Sequence, residues 1–180
     1  MLVVLNGAPG VGKSALADRY GDEHAHALVI DIDDLRRHLG QWETNEASRQ
    51  IARDLAVALA RDHLRGGYDV IVPQYLGRRD FVERLRLVAE DVDARFVEVI
   101  LSDESGAIIE RFRRRRTEFS TLGIRHPEAD LSDDAVAAAV QAANDALRAD
   151  ALAHGLALIQ VGAGVEAAYR ALCDAISVNE

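Results

Sequence analysis

Short apolar runs alternate along the chain with longer segments in which apolar residues recur every three or four positions. A short apolar run that ends at a turn residue is typical of a buried parallel strand, whereas spacing by three and four is typical of an amphipathic helix. The apolar runs predict five strands, over residues 2–6, 27–30, 68–72, 95–101 and 156–161.

The segments between these strands predict helices. Gly21 is expected to end the first helix, and in the second helix Ile51, Leu55, Leu59 and His63 share one face at i, i+4 spacing. The helical segments cover residues 13–20, 46–64, the stretch that carries Phe81, Leu85 and Val88, the stretch that carries Ile108, Ile109 and Phe112, the stretch that follows Ser132, and 165–176.

Local signals mark the ends of the later helices. Ser102 and Ser132 are expected N-caps, and Asp133 and Asp134 would lie in a first turn, where the helix dipole favours acidic residues. Residues 117–130 have no periodicity and include a glycine and a proline, so they predict a loop.

Strands that alternate with helices predict an α/β fold of three layers, with a parallel sheet covered by helices on both faces. The length of 180 residues fits one domain, residues 1–180, and the chain has no internal repeat or linker. Because ligands of such sheets bind at the carboxyl ends of the strands, the polar residues that follow each strand are the candidates for function.

Composition narrows the function classes. The net charge of −9 argues against nucleic acid as the main partner, because phosphate backbones attract surplus Lys and Arg. No apolar run approaches the ~20 residues that span a membrane, and the first apolar run leads directly into a glycine-rich loop rather than a cleavage site. A single cysteine, Cys173, suits a reducing compartment. We therefore expect a cytoplasmic protein, either a monomer or a homodimer.

Residues 7–14 read GAPGVGKS and fit the phosphate-loop pattern G-x-x-x-x-G-K-[ST], between a predicted strand and a predicted helix. Glycines allow the backbone to wrap around phosphate oxygens, and the N–H groups at the helix start face the anion. Lys13 is expected to reach the β- and γ-phosphates of ATP and Ser14 to hold Mg²⁺. The predicted nucleotide contacts here are Gly7, Ala8, Pro9, Gly10, Val11, Gly12, Lys13, Ser14 and Ala15.

An acidic cluster follows the second strand, in the sequence Asp31-x-Asp33-Asp34-x-Arg36. A kinase needs a carboxylate that accepts the proton of the acceptor hydroxyl, and Asp33 is the candidate for that role. Asp31 is the candidate for a contact to Mg²⁺ through water, although the two roles could be exchanged. Helix capping by Asp33, with Asp34 in the first turn, is the alternative.

The phosphate loop together with I-D-x-D-D-L-R at residues 30–36 resembles the small-molecule and nucleotide kinases of the P-loop superfamily. Adenylylsulfate kinases carry D-G-D-N-V-R at this place, adenylate kinases G-D-x-L-R, chloramphenicol phosphotransferases V-D-S-L, and gluconate and shikimate kinases related D-x-D elements. The resemblance covers about the first forty residues closely. It implies a sheet in the order 2-3-1-4-5, a mobile lid between strands four and five, and a base that falls on Asp33.

The densest basic run, at residues 111–116, lies where this superfamily has its lid, predicted here at about 111–131. The lid helix of these kinases ends in R-x-x-x-R, which Arg111 and Arg115 match, and such arginines would neutralise charge in the transition state. A solvated helix end is the alternative reading. The resemblance also implies that the turn after strand five, with Gly162 and Gly164, cradles the adenine.

The acceptor pocket has weaker signals. Many relatives have an acidic residue near the end of strand three, but none lies between Val70 and Leu76, which favours Asp31 as the Mg²⁺ partner. Trp42 either stacks on a ring of the acceptor or packs in the core. The candidates to line the pocket are Asp33, Arg36, Trp42, Gln74, Tyr75, Arg78 and Arg79. For Arg78 and Arg79, solvated charges at a helix start are the alternative.

Three functions fit these patterns. The favoured one is an ATP- and Mg²⁺-dependent kinase that phosphorylates a hydroxyl of a small molecule such as a nucleoside, a sugar or an antibiotic-like compound. A nucleoside monophosphate kinase would aim Arg36, Arg78 and Arg79 at an acceptor phosphate, but it needs no base. An ATP-binding switch or ATPase without a small acceptor is the third, supported by the missing acid after strand three.

Overall fold

The computed structural model describes residues 1–121 and 132–177. Its strands are β1 (Leu2–Gly7), β2 (Leu28–Val29), β3 (Val70–Gln74), β4 (Phe96–Ser102) and β5 (Ala157–Gln160). Its helices are α1 (Lys13–Glu23), α2 (Ile32–Arg37), α3 (Ala47–Arg65), α4 (Arg79–Asp91), α5 (Ser105–Thr121), α6 (Asp133–His154) and α7 (Val165–Ser177).

The five strands form one parallel sheet in the order β2-β3-β1-β4-β5, which confirms the predicted topology. β1 is the central strand, and its side chains alternate between two cores, as a strand requires. Val3 and Leu5 pack in the core beneath α1 and α7, and Leu2 and Val4 in the core beneath α3 and α4. Within the described ranges, no helix is both long and apolar enough to cross a membrane.

Pro73 lies in an inner strand, yet its missing N–H leaves no gap in the sheet. The N–H of Val70 donates to the Met1 carbonyl on the β1 side, so alternate positions direct their N–H groups to β1 and position 73 faces the β2 side. β2 pairs only with Val70 and Ile71. The proline therefore sits just beyond the point where β2 ends, and the chain can turn there toward the site.

The apolar face of α3 that the i, i+4 spacing marks is not its packed face. Ile51, Leu55 and Leu59 are 44%, 41% and 43% exposed, whereas the buried stripe consists of Ser48, Ala52, Ala56, Ala60 and Leu64. Small side chains bring the helix axis close to β3 and to α2, and larger side chains would not fit in that space.

Several predicted helix boundaries are also wrong. α1 continues through Gly21 to Glu23. Ser102 is not an N-cap, because it is the last residue of β4 and its hydroxyl donates to Asn144 Oδ1 at 3.0 Å. Residues 117–121 of the predicted loop are helical; the remainder of that loop, and of the predicted lid, lies outside the described residues. The capping prediction for Ser132 is confirmed, because its hydroxyl accepts the Ala135 N–H at 3.2 Å. Strand ends differ from the predicted ones by one or two residues.

The packing of α3 can be tested with neighbouring substitutions. Ala56→Leu should lower the free energy of unfolding by about 1–3 kcal/mol, because it overpacks a fully buried position. Leu55→Ala should cost less than about 1 kcal/mol, because Leu55 is largely exposed. Urea denaturation of both variants measures the difference, and the reverse order would show that the leucine stripe is the packed face.

Candidate functional site

The glycine-rich loop connects β1 to α1 at the carboxyl edge of the sheet. Gly10 and Gly12 have φ values of +84° and +113°, a region that favours glycine because a Cβ would clash with the backbone. Gly12 directly precedes α1, whose first N–H groups have no partner within the helix. The loop therefore offers a concave row of donors next to a helix N-terminus, which suits a phosphate.

Lys13 folds back over this loop. Its Nζ donates to the carbonyls of Gly7 and Ala8 at 2.9 and 3.1 Å. Burial, followed by the nearby guanidinium of Arg115, lowers the pKa of the Lys13 amine to about 8, although the carboxylates of Asp33 and Asp31 oppose the shift. The structure thus brings two cations and two carboxylates from three different helices into one electrostatic environment.

The acidic cluster begins α2. Asp31 is the N-cap, and its Oδ1 accepts the N–H groups of Asp33 and Asp34 at 2.9 and 3.2 Å. The alternative in which Asp33 caps the helix is therefore wrong. The Asp33 side chain is exposed in the first turn, and Asp34 forms an ion pair with Arg37. Capping by Asp31 fixes the direction in which α2 leaves β2, and with it the position of Asp33.

A cavity of about 550 Å³ lies beside β2, between α1 and α2. Ser14, Asp31 and Arg115 line its polar part, and Leu35 and Leu59 line its apolar wall. Asp33 does not belong to this lining. In the described part of the chain no group of three or more Asp, Glu, His or Cys side chains could hold a metal by itself. Ser14 and Asp31 both line this cavity, at the start of α1 and at the N-cap of α2.

Arg111 and the turn after β5 lie on the other side of the loop. Arg111 Nε donates to the Gly10 carbonyl at 3.0 Å, and its NH2 group donates to Asp103 Oδ2 at 2.6 Å. Gly162 and Gly164 lie between β5 and α7, and a Cβ on Gly12 would stand 3.5 Å from Val161, the residue before them. The predicted adenine segment is thus adjacent to the phosphate loop.

Two arginines predicted at the acceptor pocket instead connect parts of the fold. Arg36 is buried and donates to Ser48 Oγ and the Trp42 carbonyl at 2.9 and 3.0 Å, with its guanidinium 5.2 Å from the centre of the Trp42 ring. Arg79 donates to both Glu98 carboxylate oxygens and to Asp150. Each contact joins a helix to a separate segment.

Gln74 ends β3, and Tyr75 and Arg78 follow it before α4 and are exposed. The loop that carries them is held by Asn6, whose side chain accepts the Leu76 N–H at 2.9 Å and donates to the Leu76 carbonyl at 3.0 Å. Sequence reasoning missed Asn6 and also Asp103, although Asp103 directly follows a strand and so met the criterion that was applied to the other strands.

A phosphate loop after β1, an acidic segment after β2 and the order 2-3-1-4-5 together define a P-loop nucleotide-binding protein. A family model described as an AAA domain matches residues 2–149. The chain belongs to this AAA-domain family. No curated protein sequence matches it.

Solved structures share the fold over nearly the whole chain. The tunicamycin resistance protein of Deinococcus radiodurans has a TM-score of 0.60 and 16% identity, over 96% of this chain and 94% of that one. A gluconokinase from Sinorhizobium meliloti 1021 has a TM-score of 0.61 and 18% identity, over 98% of this chain and 91% of that one. The chain therefore has the same fold as these two proteins.

The lowered pKa of Lys13 predicts a proton-linked step in triphosphate binding. Deprotonation of Lys13 in the free protein around pH 8 is opposed by a bound polyanion, which favours the charged amine. ATP should therefore bind with uptake of a proton and lose affinity as the pH rises through about 8. Calorimetry in buffers of different ionisation enthalpy measures that uptake. Lys13→Arg should abolish it because a guanidinium stays charged, and Arg65→Ala, an exposed change at the end of α3, should retain it. Uptake that persists in Lys13→Arg would assign the titration to another group.

Proposed function

We propose that this protein is a kinase that transfers the γ-phosphoryl group of Mg-ATP to a hydroxyl of a small molecule. The observation that supports this most directly is the environment of Lys13, whose pKa responds to Arg115, Asp33 and Asp31 together. Phosphoryl transfer needs cations around the migrating group and a carboxylate next to the attacking hydroxyl. Groups of both kinds lie within electrostatic reach of Lys13.

Asp33 is the proposed general base. Its carboxylate is exposed, does not cap the helix, and lies near Asp31, whose backbone contacts fix the first turn of α2. A carboxylate that is exposed and is not used as a helix cap can accept the proton of a hydroxyl. Asp31 and Ser14 are the proposed contacts to Mg²⁺, directly or through water.

Residues 7–15 of the loop and helix start, Gly162 and Gly164 are the proposed ATP contacts. Lys13, Arg111 and Arg115 are the proposed phosphate-directed cations, and their charge would stabilise the transition state. Residues 111–131 are proposed to form a lid over this site, as part of a single domain of residues 1–180. ATP, when bound, supplies the phosphoryl group; the chain orients it and excludes water.

The acceptor is proposed to be a hydroxyl compound rather than a nucleoside monophosphate. A monophosphate acceptor needs several arginines directed at its phosphate, but Arg36 and Arg79 are engaged by Ser48, Glu98 and their other partners. Arg37, which lines the cavity, is paired with an acidic neighbour on α2. Acidic side chains at the same edge would also repel a dianion.

The proposed lining of the acceptor pocket is Asp33, Trp42, Gln74, Tyr75 and Arg78, with Arg36 as the residue that holds Trp42 in place. One structural relative is a gluconokinase and another is a tunicamycin resistance protein. These two names support a small-molecule kinase without choosing between acceptors, because proteins of one fold keep the donor site and vary the acceptor pocket.

ADP release from Mg-ATP, alone and with pools of nucleosides, nucleotides, sugar acids and hydroxylated antibiotics, tests the proposal. A pool that raises ADP formation well above the rate without acceptor supports it, provided that Lys13→Ala removes the signal. Division of that pool then identifies the acceptor. Equal rates in every tube would instead favour an ATPase or a nucleotide-dependent switch.

Once an acceptor is known, Asp33→Asn tests the base. We expect kcat to fall by about 10²–10⁴ with ADP affinity unchanged, because the amide cannot accept the proton but keeps the shape of the side chain. Asp22→Asn, an exposed change on α1, is the matched control and should keep full activity. Full activity of Asp33→Asn would contradict the assignment and would favour a phosphate acceptor, which needs no base.

A further inference from the structure

Asp103 joins the segments that surround the phosphate loop. It follows β4 directly and is only 5% exposed. Its Oδ2 accepts a hydrogen bond from Arg111 at 2.6 Å, and its Oδ1 accepts the Glu104 N–H at 2.8 Å. A buried carboxylate with a cation as its partner is strongly held, because removal of either member leaves an uncompensated charge.

Arg111 connects the Asp103 carboxylate to the phosphate loop. While NH2 is held by Asp103, Nε donates to the Gly10 carbonyl at 3.0 Å. A trans peptide directs its C=O and N–H to opposite sides, so the carbonyl that faces Arg111 turns the Val11 N–H to the inside of the loop, where it donates to the Ala8 carbonyl at 3.2 Å. The arginine thus fixes the peptide plane at the tip of the loop.

Close packing reinforces this attachment. A Cβ on Gly10 would stand 2.9 Å from the Ile108 carbonyl and 3.0 Å from Phe112 Cβ, so the loop backbone lies directly against α5. Arg111 belongs to the same turn of α5. A shift of that turn would therefore move both the surface on which Gly10 rests and the hydrogen bond to its carbonyl.

Asp103 also touches the turn after β5. A Cβ on Gly162 would come within 2.7 Å of Asp103 Oδ1, and the other atoms nearest to it belong to the same carboxyl group. The φ of Gly162 does not lie in the left-handed region, so alanine could adopt the backbone conformation at this position. Gly162 is therefore needed because a Cβ at this position would overlap the Asp103 carboxylate.

The position of Asp103 is supported from behind. Its carbonyl accepts a hydrogen bond from Asn144 Nδ2 at 3.1 Å, and Asn144 Oδ1 accepts the Ser102 hydroxyl at 3.0 Å. Ser102 and Asn144 are buried. A satisfied buried network of this kind restricts its members to one arrangement, so the carboxylate is aimed before any ligand arrives.

We propose that Asp103 is a positioning residue for the nucleotide: it holds Arg111 on the Gly10 carbonyl and so keeps the phosphate loop in its binding shape. A loop that is already shaped loses less conformational freedom on binding, and the affinity rises accordingly. The inference extends the proposed function to a residue with no assigned role there. It depends on nucleotide binding and not on the acceptor.

The experiment uses Gly162→Ala, Asp103→Ala and the double variant, with the dissociation constant for Mg-ADP measured by calorimetry. Each single change should raise that constant by about 10- to 100-fold, the loss expected when a charged hydrogen bond is disturbed. The double variant should be no weaker than Asp103→Ala, because the methyl group added at position 162 then has no carboxylate to displace. Arg65→Ala, an exposed change at the C-terminal end of α3, is the control and should bind as the wild type does.

Equal effects of Gly162→Ala in both backgrounds would overturn the proposal, since the added methyl group would then act independently of the Asp103 carboxylate. Unchanged ADP affinity in a folded Asp103→Ala variant would also overturn it. If Asp103→Ala fails to fold, Asp103→Ser replaces it, because a hydroxyl can still accept the Glu104 N–H but cannot reach Arg111. A wild-type chain that binds ADP but phosphorylates no acceptor would remove the kinase proposal alone, whereas a wild-type chain without ADP affinity would remove both.

Discussion

Lys13 and Arg115 are held close enough for the guanidinium to lower the pKa of the amine. Two like charges in a partly buried place are unfavourable unless something else in the fold requires them or an anion offsets them. Here the constraint comes from two rigid attachments, since Lys13 begins α1 after a loop of fixed shape, and Arg115 lies on α5, against which that loop packs. The fold therefore holds two cations together, and a bound polyphosphate would offset their repulsion.

The carboxylates near the start of α2 partly offset the unfavourable effect of burial and of Arg115 on the charged form of Lys13. Asp31 and Asp33 raise the pKa of Lys13, but burial and Arg115 outweigh them. Asp31 also has a structural task, because its Oδ1 holds the N–H groups of the first turn of α2. The residue proposed to contact Mg²⁺ is thus the one that positions the proposed base, and a change at Asp31 would affect both.

The strand pattern and the phosphate loop allowed the parallel sheet to be predicted from the sequence, because both are local signals of fixed spacing. The same signals placed the candidate site at the carboxyl edge of the sheet. The sheet order came from the resemblance that the loop and the acidic segment carry. The packed face of α3 was not predictable in this way. Its leucines and alanines lie on different faces, and the choice between them depends on how closely β3 and α2 approach the helix, which periodicity does not encode. Ser102 looked like an N-cap for a similar reason: its partner, Asn144, lies 42 residues away in the sequence.

The contacts of the arginines were likewise not predictable from local sequence patterns, and they bear on which part of the site could set acceptor specificity. Arg36 and Arg79 stood at positions that suited an acceptor phosphate, but each is held by partners from other segments, with Arg79 reaching carboxylates on β4 and α6. Arg111 divides its guanidinium between the phosphate loop and Asp103. Much of the positive charge around the site thus fixes the relative positions of helices and loops. A nucleotide pocket held by these hydrogen bonds has its shape before the ligand binds. In the exposed segment with Tyr75 and Arg78, side chains can change without disturbing those hydrogen bonds. In the proposed reaction, the acceptor is therefore the part that this architecture leaves freest to vary.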